Sequence, residues 1–409
     1  MSKTIIDKIQ PEGFIKEYLE YASELTDACK EFHLAVALTS LSSCIGSRIL
    51  YPDYGGDRRW PNLYTLLLGP SGISRKTTCV RMGQKMVNSV EPLLIADGIE
   101  TREKFMSYLQ AQPNVLWPIF EFSSVLGNWQ RSYADGYKEF VTDIFDPVDK
   151  RHRRILGSKR DDREGTITIE KAAVNILAAS TPEWLAEKLT EGDLRGGLMG
   201  RFIIFPHGVK QTDPGLNPIV DKDKRDSLVE YLKKINTMAN SWVDITMVMD
   251  IFNKWDVKNQ RKLMEDYNPD LVGFQSRVSS HALKLSVLFC VSESPIPLVK
   301  YILTEKHMKQ GILLAEWLTE ETLGLAKTGF VKSRTEQQVQ KMISLASRNG
   351  GIQRTDALQL MHITAREFDQ VIQTIVERGQ IKIERQTSST KPVYWYTAVK
   401  QAETEETEG

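Results

Sequence analysis

The stretch Asn62 to Val80, NLYTLLLGPSGISRKTTCV, constrains this chain more than any other. Its apolar run from Leu63 to Leu68, bounded by Pro61 and Gly69, has the length and composition of a fully buried parallel strand. A Gly/Ser loop follows, then Arg75-Lys76-Thr77-Thr78, so the order is strand, tight loop, helix start. Backbone N–H groups of such a loop converge on an anion, and the following helix N-terminus adds partial positive charge there. In that arrangement Gly69, Ser71, Gly72, Ser74, Arg75, Lys76, Thr77 and Thr78 form a phosphate cradle for ATP. Lys76 reaches the β/γ-phosphates and the Thr77 hydroxyl coordinates Mg²⁺. The spacing departs from G-x-x-x-x-G-K-[ST]: counting back from Thr77, the glycine positions fall on Pro70 and Arg75, so a loop opening at Gly69 is one residue longer. The competing reading is an ordinary Gly/Ser turn capping a helix.

At 409 residues the chain is long enough for two or three domains. Net charge is zero, so a nucleic-acid surface has to be a local concentration of Lys and Arg. Cys29, Cys44, Cys79 and Cys290 are scattered without a C-x-x-C pair, which argues against a zinc site or disulfide framework and suits a reducing cytoplasm. Met1 to Gln10 is polar, unlike a signal peptide, and no apolar run approaches a membrane span.

The expected fold is α/β, with a parallel-sheet core. Residues 1–50 read as helical, from Phe14, Tyr18, Ala22, Leu25 and Cys29 at helical spacing and an apolar Leu34 to Ile45. The core spans 51–215. After the loop a helix runs to about Ser89, then a short strand Leu93 to Ala96 and a helix Thr101 to Gln110. The run Val115 to Phe122, VLWPIFEF, is a buried strand ending at Glu121, placed to meet Mg²⁺ or the attacking water. Against it stand Pro118, which weakens a central strand, and the reading of Glu121 as a solvent-facing strand end. Asp97 is a possible second carboxylate.

Lys150 to Arg163 carries seven Lys or Arg against two Asp and reads as a basic hairpin or loop. Either Arg151, Arg153, Arg154, Lys159 and Arg160 contact a phosphate backbone, or the segment is a solvated charged loop. Ala172 to Thr181 is a further buried strand, and Ser180 or Thr181 either senses the terminal phosphate or simply ends the strand in a turn. Arg201 opens the strand Arg201 to Phe205 after GGLMG. It is read as an arginine deliverable to a neighbouring copy's nucleotide, or as a residue merely paired with a carboxylate.

The succession PNLY…GPSG…RKT, then IFEF, then NILAASTPE, then GGLMGRFIIFP resembles a P-loop family of phage, plasmid and integrated-element proteins found with primases. That family is similar to RecA-type and hexameric helicase ATPases, and the resemblance spans roughly residues 12 to 325. It implies that Lys76 and Thr77 are the phosphate-loop pair, Glu121 the catalytic acid, Ser180 or Thr181 the sensor and Arg201 the catalytic arginine. Arg277, near the start of a helix in the helical segment 216–330, is implied as a second phosphate sensor, with a surface or ion-paired arginine as its alternative.

Residues 331–400 read as three helices and a β-hairpin resembling a winged helix, with a T-x-x-E capping box at Thr364 and Glu367. Its third helix exposes Arg366, Gln370, Gln373 and Arg378, and Lys391 lies in the wing. The alternative use of this domain is protein contact. Residues 401–409 are an acidic tail. Together these features predict an ATP- and Mg²⁺-dependent DNA helicase of a mobile element, assembling as a ring such as a hexamer and working beside a primase. The alternatives are an ATP-gated DNA-binding initiator or loader, and a scaffold with a decayed loop.

Overall fold

The computed structural model describes residues 4–53, 56–99, 101–129, 136–154, 166–211, 215, 220–265, 267–268, 271–325, 334–347, 351–361, 363–387 and 392–399. The chain divides into two units, Met1–Val331 and Lys332–Gly409.

The first unit is built on a four-stranded sheet, all parallel, in the spatial order Asn114–Ile119, Ala173–Ser180, Tyr64–Leu68, Phe202–Pro206. Every residue of Tyr64–Leu68 and Ala173–Ser180 is buried, as an apolar run with no polar alternation requires. Successive side chains supply opposite faces. Leu67 and Ala179 join a core with the helices Gly13–Ser23, Lys30–Ile45, Lys76–Val90 and Val278–Glu293. Leu66, Leu68 and Ala178 join a second core with Phe105, Phe122, Tyr137 and Phe140. The sheet is therefore covered on both sides.

Pro118 is accommodated because Asn114–Ile119 is the outermost long strand; beyond it, among the described residues, the sheet gains only a bridge from Ile95 to Leu116. The expected strand Leu93 to Ala96 is instead a 3-10 turn, Pro92–Leu94, capped by the Glu91 carboxylate on the Leu93 N–H at 3.1 Å. Leu25 and Cys29 do not extend the first long helix. It stops at Ser23, and Cys29 precedes the helix Lys30–Ile45.

Segments read as helical, or as the loop Pro52 to Pro61, also supply a second sheet. Ile49–Pro52 and Lys300–Ile302 both lie parallel to Ser241–Asp244, while Arg58–Arg59 runs antiparallel to Ile49–Pro52. These strands have two to four residues each and half-exposed positions, too short for a period to register. Lys150–Arg154 pairs antiparallel with Thr166–Glu170, forming the arms of a hairpin.

The second unit holds the helices Arg334–Ala346, Arg354–Met361 and Ala365–Glu377 against a three-stranded antiparallel sheet. That sheet has the order Ile352–Gln353, Pro392–Ala398, Ile381–Thr387. Val339, Met342, Phe368, Val371, Ile375 and Tyr396 form its own core. The capping box is present: Glu367 N–H donates to Thr364 Oγ1 at 3.3 Å and Thr364 N–H to Glu367 Oε2 at 2.9 Å.

Candidate functional site

Parallel pairing brings the C-terminal ends of all four strands to one edge, and there the loop residues 69–75 turn from sheet to helix. Leu68 stands beside Ser180 and Pro206. Gly69 N–H donates to Ser180 O at 3.3 Å, and His207 N–H donates to Leu68 O at 2.8 Å. A Cβ on Gly69 would lie 2.9 Å from His207 Cβ and 3.0 Å from Ser74 Cβ, so close approach requires glycine here. Gly72 turns the loop at φ +80°, and Ser74 Oγ closes it on Pro70 O at 2.7 Å.

The helix Lys76–Val90 begins without a side-chain cap on its first N–H groups. Those donors and the positive end of the helix dipole lie where the loop ends. Lys76 is buried and its Nζ folds back to Pro70 O at 3.3 Å. Burial pulls its ammonium below the ordinary lysine value, against the opposing fields of Glu121 and Glu183. A cation partly stripped of water gains from an incoming phosphate. Ser71, Gly72, Arg75, Thr77 and Thr78 are exposed around it, while Ser74 is buried.

Glu121 lies two residues beyond Asn114–Ile119. Its Oε1 accepts from Ser180 Oγ at 2.6 Å, Ser123 Oγ at 2.7 Å and Ser123 N–H at 3.3 Å. The strand carrying Ser180 lies between the acid's strand and the loop's strand, so Ser180 links the two. Thr181 does something else, since its Oγ1 accepts from Trp184 N–H at 3.3 Å and caps the helix Pro182–Lys188. Asp97 is exposed, bonded to Gly98 N–H at 2.8 Å, on the segment that bridges the far side of Asn114–Ile119.

Arg75 occupies the position that a standard loop gives to glycine, and it takes a glycine's conformation, φ +56° and ψ +15°. An L-residue there carries strain of roughly 1–2 kcal/mol. Its Nε donates to Asp27 Oδ1 at 2.8 Å, and Lys210 pairs with Oδ2 of the same carboxylate. Burial alone would raise the Asp27 carboxyl, but Lys210 and Arg75 outweigh it and hold it below the ordinary carboxylate value.

Arg201 and Arg277 meet on one carboxylate, away from this chain's own loop. Phe202 stands beside Tyr64 in the parallel register, so Arg201 lies at the opposite edge of the sheet from the loop. Arg201 is 9% exposed, its guanidinium donating to Asp146 Oδ2 and to Gly197 O, both at 2.8 Å. Arg277 binds the other oxygen, Asp146 Oδ1, at 3.0 Å. Asp146 stays below the ordinary carboxylate value: burial opposes this, and Arg277 with Arg201 prevails. Fully buried Lys284 lies close by, its Nζ 2.9 Å from both Asn62 O and Asn62 Oδ1 and 3.7 Å from the Phe145 ring centroid.

Arg366, Gln370 and Gln373 are exposed along Ala365–Glu377, with Gln373 Nε2 donating to Glu377 Oε1 at 2.9 Å. Arg151, Arg153 and Arg154 lie on the first arm of the basic hairpin. Lys159, Arg160 and Lys391 fall outside the described residues. Asp27, Lys210, Ser123 and Asp146 carry no motif, and nothing in the sequence singles them out.

No protein-family model matches the chain, and neither does any curated protein. Among the described residues no group of three or more His, Cys, Asp or Glu could hold a metal ion, and no helix is long and apolar enough to cross a membrane.

Proposed function

We propose that this chain is a P-loop ATPase that acts on DNA, a replicative-type helicase of a mobile element working as a ring of identical copies. The observation that carries the reading is the meeting of loop, serine and acid at one end of a parallel sheet. Gly69 to Lys76 curve around an uncapped helix N-terminus, and Ser180 ties the adjoining strand end to Glu121. In open α/β sheets, ligands bind outside the carboxyl ends of the strands.

In this reading the loop N–H groups and Lys76 hold the β/γ-phosphates of ATP, and Thr77 with Glu121 would hold Mg²⁺. When bound, the metal neutralises phosphate charge. Glu121, oriented by Ser180 and Ser123, takes the proton of the water that attacks the terminal phosphorus as the bond to the ADP oxygen breaks. Residues 331–400 serve as a winged helix presenting Arg366, Gln370 and Gln373 to duplex, and the basic hairpin contacts the phosphate backbone.

Turnover measured with and without single-stranded DNA, together with unwinding of a labelled fork, tests this. The expected outcome is DNA-stimulated turnover and unwinding that both require Lys76; a rate indifferent to DNA, with no unwinding, rules the helicase out. A second reading, an ATP-gated DNA-binding initiator or loader, draws on the tethering of Arg75 to Asp27 and of Arg201 to Asp146. Both cations are held by carboxylates, which suits slow turnover. ATP-dependent DNA binding without unwinding would favour it.

A further inference from the structure

The loop holds an arginine where its geometry asks for glycine, and the surroundings supply what glycine would have supplied. Left-handed backbone at a non-glycine residue persists only where neighbouring contacts over-determine it. At Arg75 those contacts converge on Asp27, whose side chain is 2% exposed. Three chain segments meet at this residue. The Arg75 guanidinium arrives from the loop and Lys210 from the segment following the last core strand. That segment is fastened to the turn bearing Asp27 by Gln211 N–H on Asp27 O at 3.1 Å and Gln211 Nε2 on Ala28 O at 3.0 Å. It is also fastened to the strand end before the loop by His207 N–H on Leu68 O.

We propose that Asp27 is a positioning residue for the phosphate loop. By gripping the Arg75 guanidinium it fixes residue 75 in the left-handed conformation from which the helix Lys76–Val90 starts, and so sets where Lys76 and the first helical N–H groups point. Arg75 then acts as an anchor, and Lys76 is the cation turned to the phosphates. This rests on the reading of residues 69–78 as a phosphate loop.

The test compares full-length wild type, Asp27→Asn, Arg75→Ala, Arg75→Gly and Asp27→Asn/Arg75→Gly. Each is read by amide hydrogen exchange of residues 70–78 without nucleotide, and by equilibrium binding of fluorescent ATP with Mg²⁺. Asp27→Asn and Arg75→Ala should each speed loop exchange and weaken binding about tenfold. Arg75→Gly, free to adopt the conformation without a tether, should exchange more slowly than Arg75→Ala, and in the glycine background Asp27→Asn should have no further effect on exchange or binding. Equal behaviour of Arg75→Ala and Arg75→Gly, or an undiminished Asp27→Asn effect in the glycine background, overturns the proposal. Should Asp27→Asn not fold, the alanine–glycine comparison decides alone. Should wild type bind no nucleotide, the phosphate reading fails, while the exchange pattern still judges Asp27.

Discussion

Single residues divide the work at the strand end more sharply than their order suggests. Ser180 and Thr181 are adjacent and both hydroxylic, yet one donates to Glu121 and the other caps a helix. Ser180→Ala should lower turnover roughly tenfold with little change in KM, since it releases one donor from the carboxylate. Thr181→Ala should cost about 1 kcal/mol of stability and leave turnover alone; the reverse assignment would contradict the geometry. Two buried histidines weaken the fold in acid. His33 is wholly buried and burial pushes it down to about 4, while His281, with Nε2 3.0 Å from Gly200 O, is pushed by burial down to about 3. Unfolded, both take a proton near pH 6.5. Their neutral burial therefore favours the fold fully above that pH, and the benefit drains away as pH falls toward 4 and 3. Each contributes a slope of up to about 1.4 kcal/mol per pH unit. Urea midpoints should fall from pH 6 to 4, and a flat profile would contradict this.

Elements are legible in the sequence where one physical signal covers their whole length. Tyr64–Leu68 with its loop and helix is contiguous, and the capping box at Thr364 is a local device, so both can be read from residues alone. Glu121 and Ser180 are readable too, because each follows or ends an apolar run and parallel strands bring such ends together. Arg201 obeys the same rule in reverse. It directly precedes the strand Phe202–Pro206, so parallel pairing sends it to the far edge, about 15 Å of strand away from the loop. The short strands Ile49–Pro52, Ser241–Asp244 and Lys300–Ile302 have no period long enough to see, and the Asp27–Arg75–Lys210 meeting depends on three distant segments closing together. Helix packing also overrides propensity. In the helix Glu305–Leu325, Gly311 faces Val278–Glu293 so closely that a Cβ would lie 2.1 Å from Ser286 Oγ and 2.5 Å from Ala282 O. Gly311→Ala would gain about 1 kcal/mol from propensity alone. Overpacking against backbone should reverse the sign and destabilise by about 1–3 kcal/mol, measured by chemical denaturation; a stabilised variant would refute the contact.

At the scale of the molecule, a sheet with the loop 69–75 at one edge and two arginines on Asp146 at the other cannot bring Arg201 to its own loop without refolding the strand between. Any action of Arg201 on a phosphate therefore requires a second copy. Arg201→Ala mixed with Glu121→Gln should recover part of the turnover that each lacks; no recovery would confine Arg201 to its ion pair with Asp146. Everything proposed for the whole chain depends on the loop itself binding phosphate. Calorimetric titration of Mg·ATP into wild type and Lys76→Ala tests that most directly. Wild type should bind at or below about 1 mM, and the variant should lose 10- to 100-fold, roughly the worth of a charge-assisted contact. Undetectable binding by wild type at millimolar nucleotide, or equal affinity in the two proteins, would contradict it.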